Sequence, residues 1–330
     1  MLNPNLKLNE NMFAEKPEVD ATRTGFGKGL VALGDSDPNV VALCADLTES
    51  TKVEEFAKKY PDRYFEAGVA EQNMAAMAAG LGVSGKVAFI ASYATFSPGK
   101  NWETIRTTVA YNNSNVKIAG HHSGLMTGPD GATHQATEDI ASVRVWPNIQ
   151  VVVPCDSIEA EKATVAAGKI TTPVYLRFSR DKSPIMTTKD TPYDGKIQEF
   201  WTTDNPQVVI FGTGWLLYQA LLAAKELEEE KINVVVANVA SIKPLDQEKV
   251  VELAKKTGAV ITVEDHQAAG GLGGAIAEVL AKNLPTPMEF IGLQDTFGET
   301  GTPLELIKKF KMDKDAIISA VKKAIERKTA

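Results

Sequence analysis

The stretch Gly68-Val69-Ala70-Glu71-Gln72-Asn73-Met74 follows a polar loop and opens a run of small and apolar residues that continues to Val83. This pattern predicts a buried helix that begins near Glu71. A carboxyl group among alanine, glycine and methionine has few polar neighbours, so it can hold or share a proton near neutral pH. The simpler interpretation is that Glu71 stabilises the helix start, where negative charge is favourable. The stretch alone leaves both interpretations open.

Composition and charge narrow the class of protein. A chain of 330 residues can hold two domains with sizeable cores. The net charge of -7, with acids and bases mixed along the chain, does not indicate a nucleic-acid partner. Cys44 and Cys155 lie in or beside apolar runs, which indicates buried free thiols in a reducing compartment. No apolar run approaches the roughly 18 residues of a membrane span and no signal pattern opens the chain, so we expect a cytoplasmic protein.

Apolar strands alternate with amphipathic helices through the first half of the chain. The predicted strands are 40–45, 86–91, 116–120, 149–153 and 174–178. The predicted helices are 22–33, 51–60, the helix that begins near Glu71, 100–111, 136–145 and 157–168. Such alternation predicts a parallel sheet that is covered by helices on both faces.

A second unit of the same kind follows the polar stretch 181–205. Its predicted strands are 208–211, 233–239 and 259–263, and its predicted helices are 215–229, 247–257, 274–283 and two more within 302–328. We therefore predict an α/β fold with two parallel-sheet domains. The expected boundaries are a loose N-terminal arm over 1–18, a first domain over 19–190, a linker over 191–205 and a second domain over 206–330.

Polar and aromatic side chains are concentrated where the strands of the first unit end, which is where open parallel sheets bind ligands. They are Asp46, Ser50, Phe96, His121, His122, Arg177 and Arg180. Three histidines, the third being His134, surround one glycine-rich loop. Their spacing is not that of a zinc pair and no cysteine joins them, so we predict no metal ligands here. Substrate contacts and ordinary loop hydrogen bonds remain the two interpretations.

Three further motifs carry weaker signals. Phe211-Gly212-Thr213-Gly214 has two of the three glycines of a dinucleotide fingerprint. Gly270-Gly271-Leu272-Gly273-Gly274 precedes a helix, and it favours a tight turn over a phosphate site. Glu264-Asp265-His266 ends a strand, and we interpret it as a surface ion cluster rather than as a site.

Several stretches, taken together and in order, resemble the transketolase family. They are Ala45-Asp46-Leu47-Thr48-Glu49-Ser50, Gly68–Met74, Asp130-Gly131-Ala132-Thr133-His134-Gln135, Trp146-Pro147-Asn148-Ile149, Phe178-Ser179-Arg180 and Val263-Glu264-Asp265-His266. The resemblance covers nearly the whole chain. It implies a thiamine-diphosphate-binding (pyrimidine) domain followed by a transketolase C-terminal-like domain.

One part of the family pattern is missing from this sequence. Transketolases carry a further N-terminal domain, marked by Gly-Asp-Gly and a later Asn, which holds the diphosphate of thiamine diphosphate through Mg²⁺. The chain therefore resembles the C-terminal subunit of a split transketolase. The implied partner is an N-terminal subunit that carries the diphosphate and Mg²⁺ site. The family expectation is an α2β2 heterotetramer, in which this subunit also associates with a second copy of itself.

The resemblance gives Glu71 a catalytic and cofactor-binding role. In this family the equivalent glutamate hydrogen-bonds N1′ of the cofactor's aminopyrimidine and stabilises the imino tautomer, which takes the proton from thiazolium C2. A two-carbon ketol unit then moves from a ketose phosphate to an aldose phosphate, in the pentose phosphate pathway. The cofactor is the electron sink, and the protein supplies position and electrostatics.

Further roles follow by position from the same resemblance. Phe96 matches an aromatic residue that packs on the pyrimidine ring, while Asp46 and Leu47 match the strand end beside the thiazolium. His122 matches a histidine near the substrate carbonyl, and we expect it to be catalytic together with His134. The residues expected to bind the sugar hydroxyls or the sugar phosphate are Asp130, His134, Arg23, Ser50 and Arg180.

Two positions depart from the family pattern. Gly99 stands where many members have a second aromatic residue, and Trp102 is the candidate that would supply the missing cofactor-binding surface. Ser123 stands where an aspartate usually follows the histidine. These departures affect the pyrimidine cage and the substrate contacts near C1.

Three alternatives share parts of the pattern. 1-Deoxyxylulose-5-phosphate synthase shares the glutamate helix and the Asp-Gly-x-Thr-His-Gln loop, but Asp46-Leu47-Thr48 and Gly99 argue against it. The β subunits of 2-oxoacid dehydrogenases share the split architecture but look different at residues 130–135. A non-catalytic subunit that only regulates a partner would not need Glu71, Phe96, His122, His134 and Arg180 together.

Overall fold

Seven strands form the larger sheet, which belongs to the first domain. The computed structural model describes residues 1–329. Across this sheet the order is Ser241–Lys243, Gln150–Val152, Val174–Arg177, Val116–His121, Val87–Tyr93, Val40–Cys44 and Tyr64–Glu66. All neighbours are parallel except the first pair. Every residue of Val40–Cys44 is buried, because helices cover both faces of the sheet.

Helices of the first domain connect these strands and leave their carboxyl ends on one edge. The α-helices are Thr22–Ser36, Glu54–Lys59, Glu71–Val83, Trp102–Thr104, Asp139–Arg144 and Ser157–Gly168. Wider π-helical turns span Thr95–Lys100 and Ile105–Ala110, and 3-10 turns span Pro61–Arg63 and Leu125–Asp130. The predicted parallel α/β domain is confirmed.

A five-stranded sheet forms the second domain. Its order is Met288–Leu293, Val260–Gln267, Val208–Gly212, Val234–Asn238 and Gln198–Trp201, and the last strand is antiparallel to its neighbour. The helices are Leu217–Glu229 after a 3-10 turn at Gly214–Leu216, Gln247–Thr257, Leu272–Asn283, Pro303–Lys309 and Lys314–Thr329. The second α/β domain is therefore also confirmed. No helix within residues 1–329 has the length and apolar character that crossing a membrane would require.

The two domains share one apolar core. A single cluster of buried side chains contains Trp146 and Val153 of the first domain together with Val239 and Ile242 of the second. Strand Ser241–Lys243 also leaves the second domain and adds an antiparallel edge to the first sheet. Residue 206 is therefore not a clean division, because strand Gln198–Trp201 belongs to the second sheet, strand Ser241–Lys243 to the first, and this buried cluster spans both domains.

The expected arm and linker are both fixed in place. Leu8 and Met12 are buried against the second domain, and Asn3 donates its backbone N–H to Phe200. The arm over 1–18 is therefore packed rather than loose. The interval 191–205 is not a free linker either, since it contains the edge strand Gln198–Trp201. Their polar composition gave no sign of a strand in the sequence, because an edge strand needs only one buried face.

Local expectations around the site also change. The segment before Gly68 is not simply a loop, because Tyr64–Glu66 is an edge strand of the first sheet. Helix Glu71–Val83 buries one face only, and Val83 is 67% exposed at its end. The predicted helix 100–111 is interrupted, with π-helical turns on both sides of Trp102–Thr104.

Candidate active site

Glu71 is the first residue of its helix, as predicted, and its side chain is only 3% exposed. The expectation that it has few polar neighbours is wrong. Lys100 Nζ lies 2.6 Å from Oε2, and Asn101 donates its side-chain N–H to the Glu71 carbonyl at 3.1 Å. Within residues 1–329, Oε1 receives no hydrogen bond. The carboxyl group is therefore oriented by a lysine while one oxygen keeps its capacity to bind a ligand.

The turn that carries Phe96 is attached directly to Glu71. Asn101 donates its backbone N–H to the Phe96 carbonyl at 3.2 Å and its side chain to Glu71. The Phe96 ring is half-buried, stacks with Tyr93 at 5.9 Å between centroids and meets His134 edge-on at 5.6 Å. A carboxyl group and an exposed aromatic edge are thus positioned by one asparagine.

Three rings line the site beyond Phe96. Tyr93 ends strand Val87–Tyr93, and its ring stacks on His122 at 3.7 Å. Tyr93 also meets His134 edge-on at 6.1 Å. His122 and His134, which were predicted to be catalytic, therefore share an aromatic wall with Phe96.

Two arginines make the other side of the site cationic. Burial lowers the pKa of Arg23, and the nearby Arg180 guanidinium lowers it further. Burial, followed by the charges of Arg23 and Arg180, lowers the pKa of His122 to about 3. His122 is therefore neutral at pH 7, and its Nδ1 is buried without a partner among the described residues. The pair of cations beside a neutral imidazole suits an anionic ligand with polar oxygens.

The loop after His122 brings the predicted sugar-binding residues to this cationic region. Arg180 Nε lies 3.9 Å from Asp130 Oδ2. His134 follows Gly131, which has a φ of +77°, and its Nδ1 lies 2.9 Å from the Thr133 hydroxyl. Asp130, His134 and Arg180 are therefore brought together as expected.

The strand end that carries Asp46 lies at the edge of the site. Asp46 is exposed with a φ of +58°, and Thr51 donates its backbone N–H to Leu47. Ser50 accepts a 2.8 Å hydrogen bond from Arg23 through its backbone carbonyl. Ser50 thus orients Arg23.

The two departures from the family pattern have structural partners. The indole of Trp102 packs on Trp146 at 5.0 Å and donates its N–H to the Ser142 carbonyl. Ser123 donates its hydroxyl to the Phe178 carbonyl at 2.9 Å. A role for Trp102 beside the cofactor stays a prediction.

Two residues from the predicted strand-end group do not join the site. His121 is fully buried between Phe26 and Phe178, with ring centroids at 4.9 and 5.1 Å. Arg177 is 5% exposed and bonds Asp139 at 2.7 Å. Both side chains lie in the core, because neighbouring residues of a strand point to opposite faces of the sheet.

The interpretation of Glu264-Asp265-His266 as a surface ion cluster is wrong. The three residues are 1%, 3% and 0% exposed. Glu264 accepts the backbone N–H groups of Leu272 and Gly273 at 2.7 and 2.8 Å. The glycine-rich segment is therefore a turn whose helix start is already capped, which agrees with the tight turn that was favoured.

Sequence reasoning missed three residues of the site. Glu66 accepts the backbone N–H groups of Asp46 and Gly68 at 2.7 and 2.8 Å, and so links two parts of the site. Tyr93 and Lys100 are the other two residues that were missed. Tyr93 carried a usable signal, since it is an aromatic residue at a predicted strand end. Lys100 carried none, because an exposed lysine in a turn is ordinary.

No group of three or more histidine, cysteine, aspartate or glutamate side chains that could hold a metal ion occurs within residues 1–329. Cys44 and Cys155 are free and buried, as predicted. The side chains that the structure brings together at this site are a carboxyl group, an aromatic wall, two histidines and two arginines.

Two family models match the chain in the predicted order. The model described as "Transketolase, pyrimidine binding domain" matches residues 19–185. The model described as "Transketolase, C-terminal domain" matches residues 201–317. Together they cover the whole of the site described above and every strand of the two sheets apart from most of Gln198–Trp201.

Known relatives support the same assignment over nearly the whole length of both sequences. A putative transketolase C-terminal section from Methanocaldococcus jannaschii is 40% identical over 92% of this chain and 96% of its own length. A 6-deoxy-6-sulfo-D-fructose transketolase subunit from Clostridium sp. is 36% identical over 96% and 98%. A solved split gene transketolase, an inactive beta4 tetramer, is 42% identical with a TM-score of 0.87, over 93% of this chain and 99% of its own. The chain therefore belongs to the transketolase family, in which it corresponds to the C-terminal subunit of a split transketolase.

Proposed function

We propose that this chain is the catalytic C-terminal subunit of a thiamine-diphosphate-dependent transketolase. The reaction is the transfer of a two-carbon ketol unit from a ketose phosphate to an aldose phosphate. The observation that carries the proposal is the buried Glu71 carboxyl at a helix start, with Oε1 free of protein donors and Phe96 fixed beside it through Asn101. A buried carboxyl with one free oxygen can form a hydrogen bond to a bound heterocycle.

The residues present fit the aminopyrimidine end of thiamine diphosphate. Thr95 Oγ1 and Asn101 Oδ1 are buried without partners among the described residues, so this turn has unused polar capacity next to Glu71. Glu71 would hold a proton at the pyrimidine N1′, and Phe96 would pack against the ring. Lys100 would keep the carboxyl in one orientation through Oε2. When bound, the cofactor supplies the electron sink for breaking and forming the carbon–carbon bond.

The cationic side of the site would hold the sugar phosphate. Arg23 Nε is buried without a partner in residues 1–329, and Arg180 is paired only loosely with Asp130. A phosphate oxyanion would satisfy both guanidinium groups. Neutral His122 would donate to or accept from the substrate carbonyl region, while Asp130 and His134 would bind hydroxyls.

A partner subunit completes the proposal. The relatives named above are a section or a subunit of a transketolase, which supports a separate chain that carries the diphosphate and Mg²⁺ site. Beside the polar Gln72 and Asn73, apolar side chains are exposed along the Glu71 helix and just before it, with Val69 70% and Met77 36% exposed, which suits a subunit interface. We place two copies of each subunit in the assembly. The buried free thiols support a cytoplasmic location.

We assign the substrates to the sugars of the pentose phosphate pathway. The anion-binding pair Arg23 and Arg180 is the feature that supports a phosphorylated sugar. The Clostridium relative is named for a sulfonated sugar, and a sulfonate is also an oxyanion. Substrate assays should therefore include both anions.

The decisive experiment reconstitutes this chain with its N-terminal partner, thiamine diphosphate and Mg²⁺. We expect ketol transfer from xylulose 5-phosphate to ribose 5-phosphate by the mixture and none by this chain alone. Robust activity of the single chain would refute the split assignment. Preference for 6-deoxy-6-sulfofructose over xylulose 5-phosphate would refute the pentose phosphate assignment but keep the family reaction.

Glu71→Gln tests the catalytic carboxyl within that mixture. The amide cannot exchange a proton with N1′, so we expect turnover to fall about a thousandfold while assembly is retained. Glu103→Gln is the matched control, because Glu103 is an exposed glutamate close to the same turn. Near-normal turnover of Glu71→Gln would remove this residue from its proposed role.

A further inference from the structure

The loop over residues 123–136, here called the substrate loop, is held partly by its own backbone hydrogen bonds, such as Gly124 N–H to Ala136 at 2.8 Å, and partly by contacts outside it. It follows His122 and carries Asp130 and His134. Its backbone contains three glycines with φ values of +70°, +64° and +77°, at Gly124, Gly128 and Gly131. Glycine gains the most conformational entropy in a loosened chain, so such a loop depends on external contacts to hold one shape.

The second domain supplies the strongest of these contacts through Asp265. Its Oδ1 accepts the Leu125 backbone N–H at 2.8 Å, and its Oδ2 faces the Met126 backbone N–H at 3.4 Å. Trp215 donates its indole N–H to the same Oδ2 at 2.8 Å. A carboxylate at 3% exposure that is surrounded by N–H donors makes charge-assisted hydrogen bonds, which are stronger than neutral ones.

The fit at this contact leaves no room for a side chain on the loop. A Cβ added to Gly124 would lie 2.2 Å from Asp265 Oδ2. Glycine is therefore required both for the positive φ and for the close approach of the carboxylate.

The anchored segment is bonded directly to residues of the proposed site. Thr127 donates its hydroxyl to the His122 carbonyl at 2.6 Å and accepts from Arg180 Nη1 at 3.4 Å through its own carbonyl. Arg180 in turn faces Asp130. A shift of Leu125 and its neighbours would therefore move the groups that face the sugar phosphate.

We infer that Asp265 is a positioning residue through which the second domain sets the affinity of the site for its sugar-phosphate substrate. The inference rests on the proposed function for its substrate but not for its structural part. Within the described chain Glu71 and Phe96 make no hydrogen bond to the substrate loop, and Phe96 meets it only through the edge-on ring contact with His134 at 5.6 Å. A shift of Leu125 and its neighbours should therefore affect the substrate side more than the cofactor side.

Hydrogen exchange of the isolated subunit tests the structural part. In Asp265→Asn one oxygen becomes an N–H donor, which leaves a backbone N–H of the loop without its acceptor. We expect amide exchange in peptides covering 123–136 to rise about tenfold, with no change in strand Val208–Gly212. Trp215→Phe is the matched control, because it removes the third donor and leaves both loop contacts. Unchanged exchange in the substrate loop would overturn the inference.

Kinetics of the reconstituted complex test the functional part. For Asp265→Asn we expect KM for the ketose phosphate to rise about tenfold, with kcat within about threefold and the Kd of thiamine diphosphate within about twofold. A parallel loss of cofactor affinity and substrate affinity would indicate general destabilisation and overturn the inference. An unchanged KM despite faster exchange would also overturn it.

Gly124→Ala attacks the same contact from the loop, in case Asp265→Asn fails to fold. We expect the same split between KM and cofactor Kd, because the added Cβ displaces the carboxylate. A Gly124→Ala complex with wild-type KM would overturn the inference. A wild-type complex without ketol transfer would instead refute the proposed function, and the exchange result would still stand.

Discussion

The two domains present the same edge of similar parallel sheets, yet the side chains there are used in opposite ways. In the first domain the strand ends carry Tyr93 and His122, and Arg23 lies beside them with an unpartnered Nε within residues 1–329. In the second domain the strand ends carry Asn238 and Asp265, which are bonded to groups of the first domain. The first edge leaves several groups unpartnered around the site. The second forms a contact between the domains, called the joint here, in which Asn238 keeps only its Oδ1 unpartnered within residues 1–329.

Burial alone does not distinguish the two edges, because Glu71 and Glu264 are 2% and 1% exposed. The two edges differ in the number of hydrogen-bond partners that their buried carboxyl groups have. Glu264 accepts two backbone N–H groups, whereas Glu71 keeps one oxygen free of donors in the described chain. A buried polar group that is already satisfied has little to offer a ligand. A ligand site at a strand end therefore requires free polar capacity as well as position.

The largest effect on the joint is expected from Asp139→Asn, because Asp139 pairs with Arg177, which donates a hydrogen bond to the Asp265 carbonyl of the second domain at 2.8 Å. Burial alone would raise the pKa of Asp139, but the Arg177 guanidinium at 2.7 Å lowers it below its usual value, so the pair is charged at pH 7. The variant leaves Arg177 buried without a charge partner. We expect the free energy of unfolding to fall by about 3 to 5 kcal/mol, measured by urea denaturation at pH 7.

A surface ion pair provides the control for this comparison. Glu55 and Lys58 lie 2.8 Å apart with exposed side chains, and Glu55→Gln should cost less than about 1 kcal/mol. If Asp139→Asn lowers the free energy of unfolding no more than Glu55→Gln does, the buried pair does not stabilise the joint.

His266→Gln should change how the stability of the joint depends on pH. Burial lowers the pKa of His266 from 6.5 to about 4, with Asp139 and Arg177 acting in opposite directions. The unfolded chain therefore binds this proton first, so the stabilising contribution is complete above pH 6.5 and is lost as the pH falls toward 4. We expect the difference in unfolding free energy between wild type and His266→Gln to shrink by about 3 kcal/mol over that window.

The measurement is urea denaturation of both proteins at intervals from pH 7 to pH 4. Burial raises the pKa of Glu264 to about 7, so this carboxyl titrates in the same window, and its Oε2 lies 3.8 Å from His266 Nδ1. Glu264→Gln and the double variant are therefore measured as well, so that the His266 contribution is separated from that of Glu264. A difference that stays constant with pH would show that His266 does not titrate as its burial requires.

The fold could be predicted from the sequence because its main elements bury continuous apolar runs. Strand Val40–Cys44 and helix Ser157–Gly168 were predicted with errors of at most one residue. Edge strands such as Gln198–Trp201 and Ser241–Lys243 escaped, since they are short and pair on one side only. The crossing of Ser241–Lys243 into the first sheet depends on tertiary packing, which no local pattern encodes.

The site was predictable where a residue of suitable chemistry also stood at a predicted helix start or strand end. Glu71 and Phe96 were placed correctly beside one turn, and Arg23 near Arg180. Lys100 on Glu71 was not predictable, because sequence separation gives no measure of which exposed lysine meets a buried carboxyl. The buried state of Glu264-Asp265-His266 escaped for the same reason. Glu264 is bonded by the following helix start and Asp265 by Leu125 of the other domain, and neither contact shows in the local sequence.

Arg180→Ala, at the strand ends of the first domain, gives the smallest expected effect. Arg180 is 32% exposed and lies 3.9 Å from Asp130, so its loss should change the free energy of unfolding by less than about 1 kcal/mol. The proposed phosphate contact is charge-assisted, and we expect KM for the ketose phosphate to rise about thirtyfold. The measurement is steady-state kinetics of the reconstituted complex.

The exposed Lys182 provides the matched control, and Lys182→Ala should leave KM within about twofold. An unphosphorylated ketose of the same carbon skeleton sharpens the test further. Wild type and Arg180→Ala should use it almost equally, because the phosphate contact is then absent from both. If Arg180→Ala loses as much with the unphosphorylated sugar as with the phosphate, the arginine acts on the sugar or on the loop. The strand ends of the first domain would then serve a structural role, as those of the second domain do, despite their unpaired groups.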